Sequence, residues 1–106
     1  MRSTFVSFLA RVALAAKPLA QKPQMGWNSW NSFKLNVSDE LIRSTADAFV
    51  DTGLAKLGYE YVLIDDGWQG DKRDGVGKLA ANHTRFPDGI PATASYVHAK
   101  GLKLGI

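Results

Sequence analysis

The feature that most constrains the fold is a short apolar run that ends in two neighbouring carboxylates. Residues 59–64 are apolar except for Glu60, and Asp65 and Asp66 follow directly. A strand with one solvated face alternates apolar and polar residues, whereas a near-continuous apolar run is typical of a parallel strand covered on both faces. Parallel strands need long crossover connections, which are usually helices. The run therefore predicts an α/β fold.

The helix before this run is predicted from its cap and its apolar spacing. Ser38 is a suitable helix N-cap, and acidic residues occupy positions 39 and 40, where the helix dipole favours negative charge. Apolar or small residues then recur at i, i+4, i+7 and i+11, which places them on one helix face; they are Ile42, Ala46, Phe49 and Gly53. Gly53 and Gly58 both suit helix ends.

Flanking segments extend the alternation of strands and helices. Residues 25–30 predict a first strand, and residues 67–88 form a polar loop with a turn at Asp74-Gly75. Residues 87–89 open a second helix, whose predicted inward positions are Ile90, Ala94 and Val97 and whose stop is Gly101. Residues 102–106 begin a third strand. The order β, α, β, α, β predicts parallel strands joined by right-handed crossovers.

Residues 1–22 differ in composition from the remainder of the chain, and their pattern predicts a leader segment. Arg2 supplies a positive start, residues 5–16 are mostly apolar, and Ala-Leu-Ala at 13–15 offers small residues at cleavage spacing. This pattern is typical of a secretory signal peptide, although Arg11 interrupts the apolar run. An amphipathic N-terminal helix without a targeting role is the alternative. Sequons at Asn36 and Asn82 agree with secretion.

Composition argues against several classes of partner and cofactor. The net charge is +3, and loss of residues 1–15 would remove two arginines and leave +1, so we expect neither a nucleic-acid footprint nor a basic membrane patch. The absence of cysteine excludes disulfides, thiolate metal sites and cysteine nucleophiles. His83 and His98 lack a second ligand at metal spacing, and Gly75-Val76-Gly77 is only a fragment of a phosphate-binding motif. We therefore expect no metal and no cofactor.

Four blocks carry a resemblance to a known family. They are Met-Gly-Trp-Asn-Ser-Trp-Asn at 25–31, Tyr-Glu-Tyr-Val-Leu-Ile-Asp-Asp-Gly-Trp at 59–68, Arg-Phe-Pro-Asp-Gly-Ile at 85–90, and the stretch 96–106. In this order they resemble the α-galactosidases, the melibiase group of glycoside hydrolase family 27. The resemblance implies that residues 23–106 are the N-terminal portion of a (β/α)8 TIM barrel, about two βα units plus a third strand. A closed barrel needs about 250 residues, so we expect a truncated catalytic domain.

The activity implied by the resemblance is retaining hydrolysis of terminal α-D-galactosyl residues in oligosaccharides and glycoconjugates. An α-galactoside carbohydrate is then the expected partner, and a secreted or lysosomal-type compartment is the expected location. Alternatives within the family are α-N-acetylgalactosaminidase and β-L-arabinopyranosidase. A non-catalytic sugar-binding remnant and a non-functional fragment are alternatives of another kind.

The resemblance also implies the roles of individual residues. Asp65 and Asp66 would accept hydrogen bonds from the axial 4-hydroxyl and the 6-hydroxyl of galactose, and Trp30 would form a wall of the sugar pocket. Trp68 would line or cover that pocket, while Trp27 is expected to pack in the core. Without the resemblance, an aspartate that caps the following turn or pairs with Arg73 is a reasonable structural alternative.

Two departures from the family pattern follow from the same comparison. Relatives commonly carry a pair of disulfide-bonded cysteines, and the corresponding positions are Leu35 and Gly67. The family's nucleophilic aspartate follows the fourth barrel strand and its acid/base aspartate follows the sixth, so neither is expected within residues 1–106. Adjacent aspartates cannot replace them, because a retaining glycosidase needs two carboxyl groups about 5–5.5 Å apart that flank one bond.

We therefore predict that the 106-residue chain alone does not hydrolyse glycosides. Binding of hydroxyl groups supplies neither a nucleophile nor a proton donor at the anomeric centre. Incubation of the pure chain with a chromogenic α-galactoside is expected to release no chromophore. Release with retained configuration would instead require a carboxylate pair among the ten acidic residues of the chain.

Overall fold

A computed structural model of the protein describes residues 18–106, which form a small α/β unit. The strands are β1 (Gly26–Asn28), β2 (Tyr61–Leu63) and β3 (Lys103–Gly105), and the helices are α1 (Trp30–Phe33), α2 (Asp39–Asp51) and α3 (Gly89–Ala99), with a 3-10 turn at Ala55–Leu57. The predicted leader spans residues 1–22, of which 1–17 lie outside the described residues. None of the helices in the described part has the length and apolar character needed to cross a membrane.

The sheet is parallel, with β2 between β1 and β3. Gly26 of β1 is level with Tyr61 of β2, which is level with Lys103 of β3. Gly26 permits this pairing, since a Cβ there would lie only 2.2 Å from the carbonyl oxygen of Tyr61. The predicted α/β class with parallel strands and helical crossovers is confirmed.

Helix α2 follows the prediction closely at its start. It begins at Asp39, and the Oγ of Ser38 accepts a hydrogen bond from the backbone N–H of Leu41 at 3.2 Å. The predicted inward residues Ile42, Ala46 and Phe49 are buried.

The end of α2 differs from the prediction. Gly53 does not extend the buried stripe, because α2 ends at Asp51 and Gly53 adopts φ +83° beyond the helix. This positive φ turns the chain away from the helix direction. It would be strained for a residue with a side chain, and glycine adopts it freely. Gly58 similarly ends the 3-10 turn, with φ +98°.

Helix α3 buries Val97 as predicted, but its other fully buried residue is Thr93. Ile90 and Ala94, also predicted to point inward, are only half-buried. The hydroxyl of Thr93 donates a hydrogen bond to Oδ1 of Asp39, which explains why a polar side chain is tolerated in the core. A carboxylate at the start of α2 therefore joins the two helices.

A second polar contact joins the outer surfaces of α2 and α3. The hydroxyl of Tyr96 donates to Asp47 at 2.9 Å, and the Lys100 ammonium lies 2.8 Å from the same carboxylate. The hydrogen bonds from Lys100 and then Tyr96 hold the pKa of Asp47 below its ordinary value. The bond to Asp47 raises the pKa of Lys100. All three groups lie near the surface, so the contact orients the helices more than it stabilises them.

The core lies between the sheet and the pair formed by α2 and α3. Its buried apolar residues are Val37, Ile42, Ala46, Phe49, Val62, Ile64, Phe86, Val97 and Leu102. Trp27 packs against this cluster, and its ring meets that of Phe33 edge-on at 6.0 Å between centroids. The predicted core role of Trp27 is thus confirmed.

Residues 67–88 form a loop whose two sides pair with each other. An isolated antiparallel bridge joins Gln69 and Ala81. The predicted turn at the tip is present, because Oδ1 of Asp74 accepts hydrogen bonds from the backbone N–H groups of Val76 and Lys78.

We predict that the 106-residue chain self-associates in solution. Strands β1 and β3 each have one edge without a partner strand among the described residues, and open parallel edges promote pairing with other copies. Light scattering coupled to size exclusion, over a range of concentrations, is expected to show oligomers or aggregates. A monomer that unfolds cooperatively would contradict this and would favour the sugar-binding module among the alternatives.

Candidate functional site

A cavity of about 460 Å³ opens where the three strands end. Because the strands are parallel, their carboxyl ends share one edge of the sheet, which is where ligand sites form in α/β barrels. The cavity is lined by Asn28, Leu63, Ile64, Asp65, Asp66, Trp68, Gln69, Leu79, Gly105 and Ile106. Three of the four predicted site residues are therefore brought together here: Asp65, Asp66 and Trp68.

Asp65 takes part in three hydrogen bonds with Asn28, Ser29 and Asp66. Its backbone N–H donates to the buried hydroxyl of Ser29 at 3.0 Å. Its carboxylate accepts one bond on each oxygen, from the backbone N–H of Asp66 at 2.9 Å and from the side-chain amide of Asn28 at 3.1 Å. The carboxylate itself is exposed towards the cavity. Its position is fixed while some acceptor capacity stays available to a ligand.

The two carboxylate oxygens of Asp66 differ in their hydrogen bonding. Its Oδ1 accepts bonds from the backbone N–H of Gly67 at 2.8 Å and from Nε2 of Gln69 at 2.6 Å, so one oxygen does cap the following turn. Its Oδ2 takes part in no hydrogen bond within residues 18–106. The alternative pairing with Arg73 does not occur, because Arg73 donates to the carbonyl of Gly77 instead.

The two tryptophans occupy different positions. Trp68 lines the cavity, but Trp30 does not. The physical reason is that the predicted first strand ends early: Oδ1 of Asn28 accepts a hydrogen bond from the Trp30 backbone N–H at 2.8 Å, and the chain turns into α1 at Trp30. Trp30 is 36% exposed, and the Lys34 ammonium lies 5.4 Å from the centroid of its ring.

Gly67 follows the two aspartates, and there is little free space beside its Cα. It has φ +95°, and an added Cβ would lie 2.9 Å from the carbonyl oxygen of Leu35 and 3.1 Å from Nη1 of Arg85. The Arg85 guanidinium donates to the Gly67 carbonyl at 2.6 Å. The two positions compared with the paired cysteines of the resembled family, Leu35 and Gly67, are therefore in direct contact, and Arg85 holds the loop at the same point.

Sequence reasoning missed Asn28 and Gln69 as members of the site. Both contact the aspartates through side-chain amides. Asn28 lies at the carboxyl end of β1, the position at which barrel sites form, but the predicted strand continued to residue 30 and placed Asn28 inside it. Gln69 lies in the polar loop, and nothing in its local sequence distinguishes it from its neighbours.

The arrangement suits a ligand that carries hydroxyl groups. Ionised carboxylates act only as acceptors, so Asp65 and Asp66 would receive hydrogen bonds from donors such as hydroxyls. Trp68 and the aliphatic side chains of the lining add an apolar surface of the kind that covers C–H groups. Within residues 18–106, no three side chains of the metal-ligating types gather into a possible ion site.

Comparison with known proteins gives consistent matches over the same part of the chain. The family model described as Alpha galactosidase A matches residues 22–106. Alpha-galactosidase from Oryza sativa subsp. japonica is 60% identical over 88 residues, which cover 83% of this chain and 21% of that protein. The chain thus spans about a fifth of the length of its rice relative.

Solved structures match the described fold. Alpha-galactosidase I from Mortierella vinacea superposes with a TM-score of 0.80 and 48% identity, covering 83% of this chain and 22% of that one. A β-L-arabinopyranosidase of glycoside hydrolase family 27 from Geobacillus stearothermophilus has a TM-score of 0.75 and 30% identity, over 82% and 24% of the two chains. The sheet and helices match the N-terminal part of these TIM barrels, which confirms the fold expected from the resemblance.

We predict that Gly67→Ala is clearly more destabilising than Gly77→Ala. Both glycines have positive φ, which costs an alanine about 1–2 kcal/mol. Only Gly67 also lacks space for a Cβ, which should add about 1–3 kcal/mol. Urea unfolding can be measured on a fusion, here termed the rice chimera, in which residues 22–106 replace the matching segment of the rice relative. Equal losses of unfolding free energy would contradict the close approach of Gly67 to Leu35.

Proposed function

Because this chain belongs to the alpha galactosidase A family, we propose that it forms part of the sugar-binding site of a glycosidase that releases terminal α-D-galactosyl residues. The substrates would be oligosaccharides and glycoconjugates, and the reaction would retain configuration at the anomeric carbon. Residues 23–106 would be the first portion of the catalytic barrel. The proposal gives the chain a role in substrate recognition and none in the covalent steps.

The placement of Asp65 and Asp66 carries this proposal. Both carboxylates lie on the cavity at the carboxyl end of β2, and each retains acceptor capacity after its protein hydrogen bonds are counted. Neighbouring carboxylates at a strand end suit two different hydroxyls of one ligand. Galactose offers such a pair in its axial 4-hydroxyl and its 6-hydroxyl.

The proposed chemistry assigns the covalent steps to other carboxylates. One aspartate would attack the anomeric carbon while a second protonates the departing glycosidic oxygen, and water would then release galactose from the glycosyl-enzyme. Both would come from parts of the barrel other than residues 23–106. Asp65 and Asp66 would contribute by holding the ring, because binding energy at remote hydroxyls can favour distortion at the reacting carbon.

Aromatic contacts would complete the sugar pocket. Trp68 lines the cavity and can cover the C–H face of a pyranose. We also keep Trp30 as a proposed pocket wall, because its backbone is bonded to Asn28 at the edge of the cavity and its ring is partly exposed.

Similarity favours galactosides among the sugars considered. The alpha-galactosidase from rice is 60% identical to this chain, whereas the β-L-arabinopyranosidase is 30% identical. A solved alpha-galactosidase from Saccharomyces cerevisiae contains raffinose, an oligosaccharide. These observations on relatives support a carbohydrate substrate with a terminal galactosyl group over a β-L-arabinopyranoside.

Secretion is a further part of the proposal. It is supported by the pattern of residues 1–22 and by the sequons at Asn36 and Asn82. Asn36 is exposed and immediately precedes the buried Val37, so a glycan there would not disturb the core.

We predict that Asp65→Asn and Asp66→Asn each lower kcat/KM of the rice chimera for an α-galactoside by about 10- to 100-fold. A hydrogen bond to a charged group contributes about 1.5–3 kcal/mol, and about 1.4 kcal/mol corresponds to a factor of ten. Asp71→Asn is the matched control, since Asp71 is an exposed loop residue outside the cavity lining. Trp30→Ala is expected to raise KM with little change in kcat, because it removes apolar contact alone.

The assay should include an analogue without the 4-hydroxyl, and circular dichroism should confirm the fold of each variant. If an asparagine variant retained both normal turnover and the preference for an axial 4-hydroxyl, its aspartate would have only the structural role of a turn cap. An inactive but folded rice chimera would overturn the proposed function itself.

A further inference from the structure

Asn28 connects the start of α1 to the carboxylate of Asp65. Its Oδ1 accepts a hydrogen bond from the Trp30 backbone N–H at 2.8 Å, and its Nδ2 donates to Oδ2 of Asp65 at 3.1 Å. We infer that Asn28 is a positioning residue that fixes the Asp65 carboxylate for recognition of a substrate hydroxyl. This inference rests on the proposed function and adds to it a residue that determines how well Asp65 binds.

The orientation of the Asn28 amide follows from its partners. A backbone N–H can only donate, so the side-chain atom that faces Trp30 must be the carbonyl oxygen. The amide nitrogen then faces the Asp65 carboxylate, whose Oδ2 accepts its N–H. A single arrangement satisfies both neighbours, and it directs an N–H of the amide at Oδ2.

Asn28 restricts the orientation of the Asp65 carboxylate but leaves part of its hydrogen-bond acceptor capacity free. Each carboxylate oxygen can accept about two hydrogen bonds, and each oxygen of Asp65 receives one from the protein. One site per oxygen is left for a ligand, in a plane set by the two protein donors. By contrast, Oδ1 of Asp66 already receives two donors, so its ligand contacts fall to Oδ2.

The surroundings of Asn28 argue against a purely structural role. Asn28 is exposed at the end of β1, so water can satisfy the same groups if its side chain is removed. The neighbouring Ser29 is fully buried, and its hydroxyl accepts a hydrogen bond from the backbone N–H of Asp65, which adds a contact between the chain segments that follow β1 and β2. Asn28 acts on the side chain of Asp65, and Ser29 acts on its main chain.

Two variants of the rice chimera test the inference by different physical routes. Asn28→Ala removes the donor, and we expect kcat/KM for an α-galactoside to fall about tenfold with little change in the unfolding midpoint. Asn28→Asp keeps the size of the side chain and the acceptor for Trp30, but places a second carboxylate against Asp65. Asn31→Asp is the matched control, because Asn31 is an exposed residue of α1 outside the cavity lining.

The pH profile separates positioning from general damage. Among residues 18–106, the ionisable side chains that line the cavity are Asp65 and Asp66. In the rice chimera, the two catalytic carboxylates of the proposed mechanism would face the same sugar. The aspartate introduced by Asn28→Asp adds a further carboxylate in contact with Asp65, which disfavours full ionisation of this group of carboxylates. The acid limb of the kcat/KM profile should therefore move to higher pH in Asn28→Asp, while Asn28→Ala and Asn31→Asp should keep the wild-type limb.

The outcomes distinguish this inference from the proposed function. An active chimera in which both Asn28 variants match the wild type in kcat/KM and in pH profile would overturn the inference alone. The inference would also be overturned if the Asn28 variants lost kcat/KM in proportion to their loss of unfolding free energy and Asn28→Asp kept the wild-type acid limb. Asn28 would then be a structural residue. A folded wild-type chimera without hydrolysis would overturn the proposed function and the inference together.

Discussion

The hydrogen bonding of β2 on both of its edges is the constraint on which the site depends. Its neighbours β1 and β3 run parallel to it, so the carboxyl ends of all three strands lie together. Asn28, Asp65 and Gly105 are therefore found at the same end of the sheet. The contact extends beyond the strands, since the Ser29 N–H donates to the Leu63 carbonyl at 3.1 Å and the Ile64 N–H donates to that of Gly105 at 2.9 Å. These bonds bring the ends of the three strands to one cavity.

Local signals in the sequence predicted much of the fold, because their physical causes are local. Ser38 caps α2 through a bond to a residue only three positions away, and the turn at Asp74 depends on donors two and four positions away. The buried position of Thr93 could not be predicted in this way. Its partner Asp39 is 54 residues distant, so the bond that makes its burial favourable becomes visible only after the helices pack.

The same distinction explains what was predicted of the candidate site. Asp65, Asp66 and Trp68 follow an evident strand, and parallel strands direct such residues to a common edge. Asn28 was missed because its partner Asp65 is 37 residues away. Its bond to the Trp30 N–H also ends the first strand sooner than the apolar pattern indicates, which is why Trp30 begins a helix.

The two neighbouring aspartates are chemically alike but differ in the way the protein holds them. Asp65 is fixed by donors from β1 and from its own backbone, so its geometry depends on the sheet. Asp66 is fixed by Gly67 and Gln69, so its geometry depends on the loop that Arg85 secures at the Gly67 carbonyl. A ligand that bonds to both carboxylates would therefore couple the loop to the sheet. Movement of the loop would change the spacing between the two acceptors, and with it the pair of hydroxyls that fits.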